Sequence, residues 1–289
     1  MNRNVLKALF VLAALAALGA VHDDNTRVAP QSMDMEHMID LFMVGGRPLN
    51  LDDERRVTVL INHGYVVGYS EDRRNPLWSA YRASEVKGDD DPIRFERARF
   101  FYADNRTASA VDGRTYGGGF DRGHMTPNFA IASQYGSLAQ LETFFMTNMC
   151  PQKDDLNQGP WARLERHVVS AAQEKEHVFV ISGPIFGDDP DIVTIGSDRD
   201  IQIPEAFYMI LVDASFEFRT RPVIDMVAYR FPQGAARGAD ITDRTLFGVS
   251  VNQIEAETGL DFFPLFDDLM VDWEAREDEV ADEHWDFAE

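Results

Sequence analysis

Asp121-Arg122-Gly123-His124-Met125 is the stretch from which the rest of the chain can be read. Three glycines, Gly117, Gly118 and Gly119, precede it, and Pro127 follows. Consecutive glycines free the backbone for conformations that other residues resist. A proline two residues past Met125 works against a helix at that point. An acid, a base and an imidazole are therefore expected together on a tight, non-helical turn. Two more polar stretches follow in order: Thr147-Asn148-Met149-Cys150-Pro151-Gln152, then Leu156-Asn157-Gln158-Gly159-Pro160-Trp161-Ala162-Arg163-Leu164-Glu165.

Working outward, apolar residues with turn signals between them predict strands. Val57–Ile61 and Tyr65–Tyr69, split by Asn62-His63-Gly64, read as a hairpin, with His63 a turn residue. Trp78–Arg82, Val178–Ile181, Phe207–Val212 and Val223–Tyr229 read as further strands. A helix is expected to begin between Asp155 and Pro160, because proline is tolerated in a first turn. Trp161, Leu164, Val168 and Ala171 then recur at helical spacing and form a core stripe. Residues 35–43 read as a short helix stopped by Gly45-Gly46. No internal repeat is visible.

At 289 residues, with 45% hydrophobic and 26% charged residues, the chain can bury a sizeable core. Its one cysteine, Cys150, excludes an intramolecular disulfide and a thiolate-rich zinc cluster, and is read as buried packing. Net charge is −22. Residues 261–289 hold twelve acids and one arginine, whereas residues 94–122 hold six arginines and four acids. The neighbourhood of His124 is thus locally basic inside an acidic protein. Only four basic residues are lysines, and arginine presents a planar fork suited to phosphate oxygens. Long-range attraction to a polyanion should be weak.

Arg3 and Lys7 precede an apolar run, Ala8 to Val21, that turns polar at His22. The run reads as a secretory signal. It is shorter than the roughly 20 residues of a spanning helix, and an uncleaved membrane anchor is the alternative. The expected address is secreted or periplasmic, or anchored outside the cytoplasm. The resulting division is 1–21 leader or anchor, 22–54 linker and N-terminal extension, 55–266 main domain, and 267–289 acidic tail. Residues 87–92 are expected to be a solvated loop.

The three polar blocks, in this order within 45 residues, resemble the DNA/RNA non-specific endonucleases, the endonuclease G-like ββα-metal (His-Me finger) nucleases. The resemblance runs from about residue 55 to about 266. It implies an α+β fold, with a central antiparallel sheet flanked by helices. It also implies hydrolysis of DNA and RNA phosphodiesters without sequence preference, leaving 5′-phosphate and 3′-hydroxyl ends. His124 then falls in the place of the general base, a task an imidazole suits. Asn157 falls in the place of the sole protein ligand of a hydrated Mg²⁺, with Mn²⁺ as the alternative ion; Mg²⁺ keeps many of its waters.

Glu165 matches a residue that holds water at the ion or the leaving group. On a continuous helix the eight residues from Asn157 to Glu165 give about 12 Å of rise and roughly 80° of rotation, too far for one ion. Arg99, five residues before Asp104, matches an arginine that stabilises the crowded phosphate, with Arg97 close enough to be confused with it. Asp121 is expected to orient its neighbours. Arg122 is placed with substrate phosphate or with an acid. Asn148 is placed with substrate or against His124. DNA and RNA are the expected partners, and a homodimer is left open. Two other readings stand beside this one: a catalytically idle binding protein on a nuclease scaffold, and a phosphodiesterase for small nucleotides.

Overall fold

The computed structural model describes residues 35–280 and 285, apart from 53–54, 86–94, 110, 117, 188–192, 197–199, 218–220, 268–269 and 271–272. The apolar leader and the loop at 87–92 lie outside the described residues.

Nine strands and five helices carry the architecture. The strands are β1 (Val57–Ile61), β2 (Val66–Ser70), β3 (Asn75–Ser84), β4 (Phe120–His124), β5 (Met149–Lys153), β6 (His177–Ile185), β7 (Ala206–Glu217), β8 (Arg221–Pro232) and β9 (Gly248–Val249). The helices are α1 (Met35–Ile39), α2 (Asn128–Glu142), α3 (Ala162–Glu174), α4 (Val251–Thr258) and α5 (Trp273–Glu277). Seven strands pair in the order β9-β8-β7-β6-β3-β2-β1, every pair antiparallel. The predicted hairpin is β1–β2, its turn closed by the Asn62 N–H donating to the Tyr65 carbonyl at 2.8 Å.

β7 is apolar along Phe207–Val212 because both faces of the sheet are covered. Phe207, Met209 and Leu211 enter one core, while Tyr208, Ile210 and Val212 enter the other, as period-two alternation requires. The first core packs under α3, whose Trp161, Leu164, Val168 and Ala171 are buried as predicted. Leu164 and Val168 each contribute about 1.5–3 kcal/mol by leaving water. The second packs under α1 and α4. The Ser250 side chain caps α4 by accepting from the Gln253 N–H, and Gly259 ends it at φ +66°. The expected α+β fold is the one observed.

Two local expectations are corrected. Asp121–His124 is not a turn but the end of β4, paired with β5; the turn lies before it, at Gly118 and Gly119, with φ of +72° and +88°. Pro127 does not keep a helix away: it is the N-cap of α2, where a missing N–H costs nothing. In the N-terminal extension, where a short helix is expected over 35–43, α1 covers Met35–Ile39; Ile39, Phe42, Met43 and Val44 are buried, and Leu49-Asn50 pairs with Leu260-Asp261. In the acidic C-terminal segment Trp273 is buried in the second core and Trp285 in the first.

Candidate active site

β4, β5 and the start of α3 converge beside the sheet. In the ribbon, Gly123 faces Cys150 and His124 faces Met149. A Cβ on Gly123 would stand 1.9 Å from the Gln152 amide oxygen, so any side chain there would have to displace buried Gln152. The Trp161 indole N–H donates to the His124 carbonyl at 3.1 Å and ties α3 to the ribbon. Cys150 is fully buried, and burial pushes its thiol well up; it is packing.

Between Leu156 and α3 the backbone does not run as regular α-helix. Asn157–Trp161 forms a π turn with a break at Gly159 (φ −108°, ψ −114°). Gly159 is required because a Cβ would meet the Arg237 backbone at 2.7 Å. A π turn holds one surplus residue. The eight-residue separation of Asn157 and Glu165 therefore acts like about seven, roughly two turns and nearly one face. The 80° divergence expected for a continuous helix does not arise, and both side chains line one cleft.

That cleft has a volume of about 550 Å³ and is also lined by His124, Arg97, Arg122 and Arg166. His124 is 8% exposed. Its ring lies 5.3 Å from Phe144, edge-on, and 5.9 Å from Phe101. Its Nε2 is buried without a hydrogen-bond partner among the described residues. Burial, and then the Arg97 charge, push its pKa down to about 3, so the imidazole is neutral at physiological pH. Glu165 goes the other way: burial holds its carboxyl up at about 8, against the lowering influence of Arg166 and Arg97.

Asp121 decides how Asn157 is presented. Its Oδ2 accepts from Asn157 Nδ2 at 2.9 Å and from Gln158 Nε2 at 2.8 Å. A carboxylate only accepts. Asn157 must therefore turn its nitrogen to Asp121 and its Oδ1 the other way. With that oxygen and the Glu165 carboxyl on the same cleft, the donors are hard oxygens. They fit a magnesium-type ion that needs few protein ligands, not a thiolate or imidazole metal.

The remaining candidates separate clearly. Arg122 lines the cleft, with its guanidinium 5.2 Å from the Phe101 ring and its Nε donating to the Gly113 carbonyl. Arg99 does not reach the cleft: its side chain is 80% exposed and pairs with Glu96 at 3.3 Å. Arg97 does line the cleft, packed 5.3 Å over Phe144. The chain around these arginines is irregular, so spacing alone could not say which side chain turns inward.

Of the two places expected for Asn148, with substrate or against His124, its contacts match the second. It is fully buried, accepts from the Thr126 N–H at 2.9 Å and donates to the Thr126 and Thr143 carbonyls. Its amide is thus spent on the segment that follows His124. Gln158, Arg166 and Phe129, which is 49% exposed at the cleft, were missed by sequence reasoning; only Gln158 lay inside a quoted block.

Comparison with known proteins places the chain in a family. The DNA/RNA non-specific endonuclease family matches residues 50–269. Human mitochondrial nuclease EXOG is 32% identical over 232 residues, 77% of this chain and 60% of that protein. Human mitochondrial endonuclease G is 30% identical over 216 residues, 69% of this chain and 67% of that protein. A nuclease of Serratia marcescens is 34% identical over 145 residues, 48% of this chain and 49% of its own. The chain thus spans about 60% of the length of the EXOG relatives it matches. Among solved structures, the endonuclease G complex with its inhibitor EndoGI superposes with a TM-score of 0.63 at 24% identity, covering 82% of this chain and 94% of that one; this is a likeness of fold.

The expected secreted or periplasmic address is overturned. Human EXOG, human endonuclease G and fission-yeast nuclease 1, which match over 69% to 77% of this chain, are mitochondrial proteins. A basic start followed by an apolar run is shared by several kinds of targeting segment, so it fixes no destination. Among the described residues no helix is long and apolar enough to cross a membrane.

Proposed function

Because the chain belongs to the DNA/RNA non-specific endonuclease family, we propose that it is a divalent-metal-dependent endonuclease hydrolysing DNA and RNA phosphodiesters without sequence preference. The observation that carries this reading is one cleft shared by a neutral, buried His124 and an Asn157 whose amide is turned by Asp121. Asn157 Oδ1 is the ligand for Mg²⁺, with Mn²⁺ as the alternative, and Glu165 stands beside it. When bound, the ion supplies positive charge that stabilises the leaving oxygen.

The chain's own groups do the rest. His124 Nδ1 or Nε2 takes the proton of the attacking water. An imidazole at about 3 is a weak base. An entering phosphate offsets the Arg97 charge and raises it toward the working pH. Arg97 and Arg122 neutralise the phosphate oxygens as charge builds. Glu165 hydrogen-bonds water at the leaving oxygen. Phosphate contacts carry no sequence information, which suits hydrolysis without sequence preference.

Plasmid nicking tests the reading. Purified protein with Mg²⁺ should convert supercoiled DNA to open circles, and chelator should stop it. His124→Ala should lower the rate by about 10²–10⁴ with unchanged circular dichroism. Nicking that survives chelation, or that His124→Ala leaves intact, overturns the assignment. Turnover of small nucleotide esters alone would favour the phosphodiesterase reading, and no turnover at all the idle scaffold.

A further inference from the structure

The wall of the cleft continues past Asn157 along α3, which adds Ala162, Glu165, Arg166 and Val169 to it. That stretch rises about 10 Å along the helix. Stacked nucleotides advance about 3.4 Å each, so the cleft has room for a nucleotide beside the scissile phosphate. The start of α2, Pro127 to Ala130, supplies more of the wall. Phe129 is its aromatic residue, and the chemistry described so far gives that ring nothing to do.

A single exposed aromatic means little by itself. Three observations set this one apart. Phe129 is 49% exposed at the cleft, whereas the next three residues of α2, Ala130, Ile131 and Ala132, are buried. The segment joining it to His124 is fixed. The Met125 carbonyl accepts from Ser182 Oγ at 2.8 Å, and the Thr126 N–H and carbonyl both bond the Asn148 amide at 2.9 Å. Ring and imidazole therefore sit on one rigid piece of backbone, as a positioned contact requires. Finally, a cation shares the wall. Arg166 is exposed, and among the described residues its guanidinium forms no hydrogen bond or ion pair. Arg163, one turn earlier, is already spent on the Arg237 and Ala239 carbonyls.

We propose that the Phe129 ring is a stacking platform for an unpaired base beside the scissile phosphate, with Arg166 holding the neighbouring phosphate; this rests on the reading of the cleft as a nucleic-acid site. An aromatic face beside a cation is what a single strand can use, because every base has a π face and every nucleotide a phosphate. In a duplex those faces are covered by the adjacent bases, so the contact selects single strands and opened ends. It also fits a chain of net charge −22. Long-range attraction to phosphate is weak there, and stacking needs no charge.

Binding and cleavage are read separately on the full chain. With chelator present, fluorescence anisotropy follows a labelled mixed-sequence single-stranded oligonucleotide and a long blunt-ended duplex. Phe129→Ala should weaken single-strand binding about 5–150-fold, and duplex binding far less. Phe129→Tyr should bind single strands like wild type. Phe129→Leu, apolar but without a flat face, should not. Arg166→Gln should weaken both ligands and lower the slope of log affinity against log salt by about one. With Mg²⁺, Phe129→Ala should raise KM for the single strand far more than it lowers kcat. Equal loss on single strand and duplex, full binding by Phe129→Leu, unchanged binding by Arg166→Gln, or a wild type that ignores single strands would overturn the proposal. A wild type that holds single strands through Phe129 and never cuts them would leave the platform standing and sink the hydrolase reading instead.

Discussion

Replacing Asp121 by asparagine isolates the orientation of the metal ligand from every other property of the cleft. Asp121 Oδ2 holds Asn157 Nδ2 at 2.9 Å and Gln158 Nε2 at 2.8 Å. The substitution keeps the shape but replaces a pure acceptor with a group that both donates and accepts. Asn157 can then pair in either orientation and loses its reason to point Oδ1 into the cleft. Hydrogen bonds to a charged group are worth about 1.5–3 kcal/mol each, and losing a partner that orients a metal ligand costs about 10–100-fold in metal affinity. The assay is nicking rate against Mg²⁺ concentration. The half-activating concentration should rise about 10–100-fold. The rate at saturating Mg²⁺ should fall far less, because His124 and the arginines are untouched. An unchanged Mg²⁺ midpoint, or a loss that no amount of Mg²⁺ restores, would refute the role given to Asp121.

Three further outcomes follow from the geometry. Arg97→Ala should cut the nicking rate by about 10²–10³, while Arg99→Ala, whose side chain is 80% exposed, should stay near wild type; the reverse pattern would restore Arg99 to the site. Glu165 titrates near 8 in the fold, against an ordinary value of 4.5, so between those values the folded chain binds more protons than the unfolded one. Stability relative to Glu165→Gln should fall as pH rises through that window. The slope is at most about 1.4 kcal/mol per pH unit, reduced by solvent in the cleft. Metal-free urea unfolding at the two ends of the window checks this, and a constant difference would contradict it. Trp285→Ala should cost about 3–5 kcal/mol in the same assay, whereas a truly solvated tail would show almost no change.

The fold was legible wherever burial left a periodic trace. The alternation of β7 and the stripe Trp161, Leu164, Val168, Ala171 are direct imprints of what each side chain touches. The three polar blocks located the cleft because turns, ribbon and ligands must follow one another closely for that chemistry. What escaped depends on contacts distant in sequence. Asp121–His124 is polar and glycine-flanked, so its pairing with Met149–Lys153 leaves no hydrophobic signature. The choice of Arg97 over Arg99 turns on Phe144, more than forty residues away. The π turn sits where the Arg237 backbone comes close enough to Gly159 to exclude a Cβ, which no local pattern announces. Twelve acids after residue 260 masked two tryptophans that belong to the core.

Trp285 has a temporal consequence. Its ring lies 4.6 Å from the Lys175 ammonium at the end of α3, and it closes the same core that supports the cleft. A ribosome delivers residue 285 after every strand and helix of that core has already been made. A chain cut short before residue 285 would therefore carry its three blocks complete and its interior open.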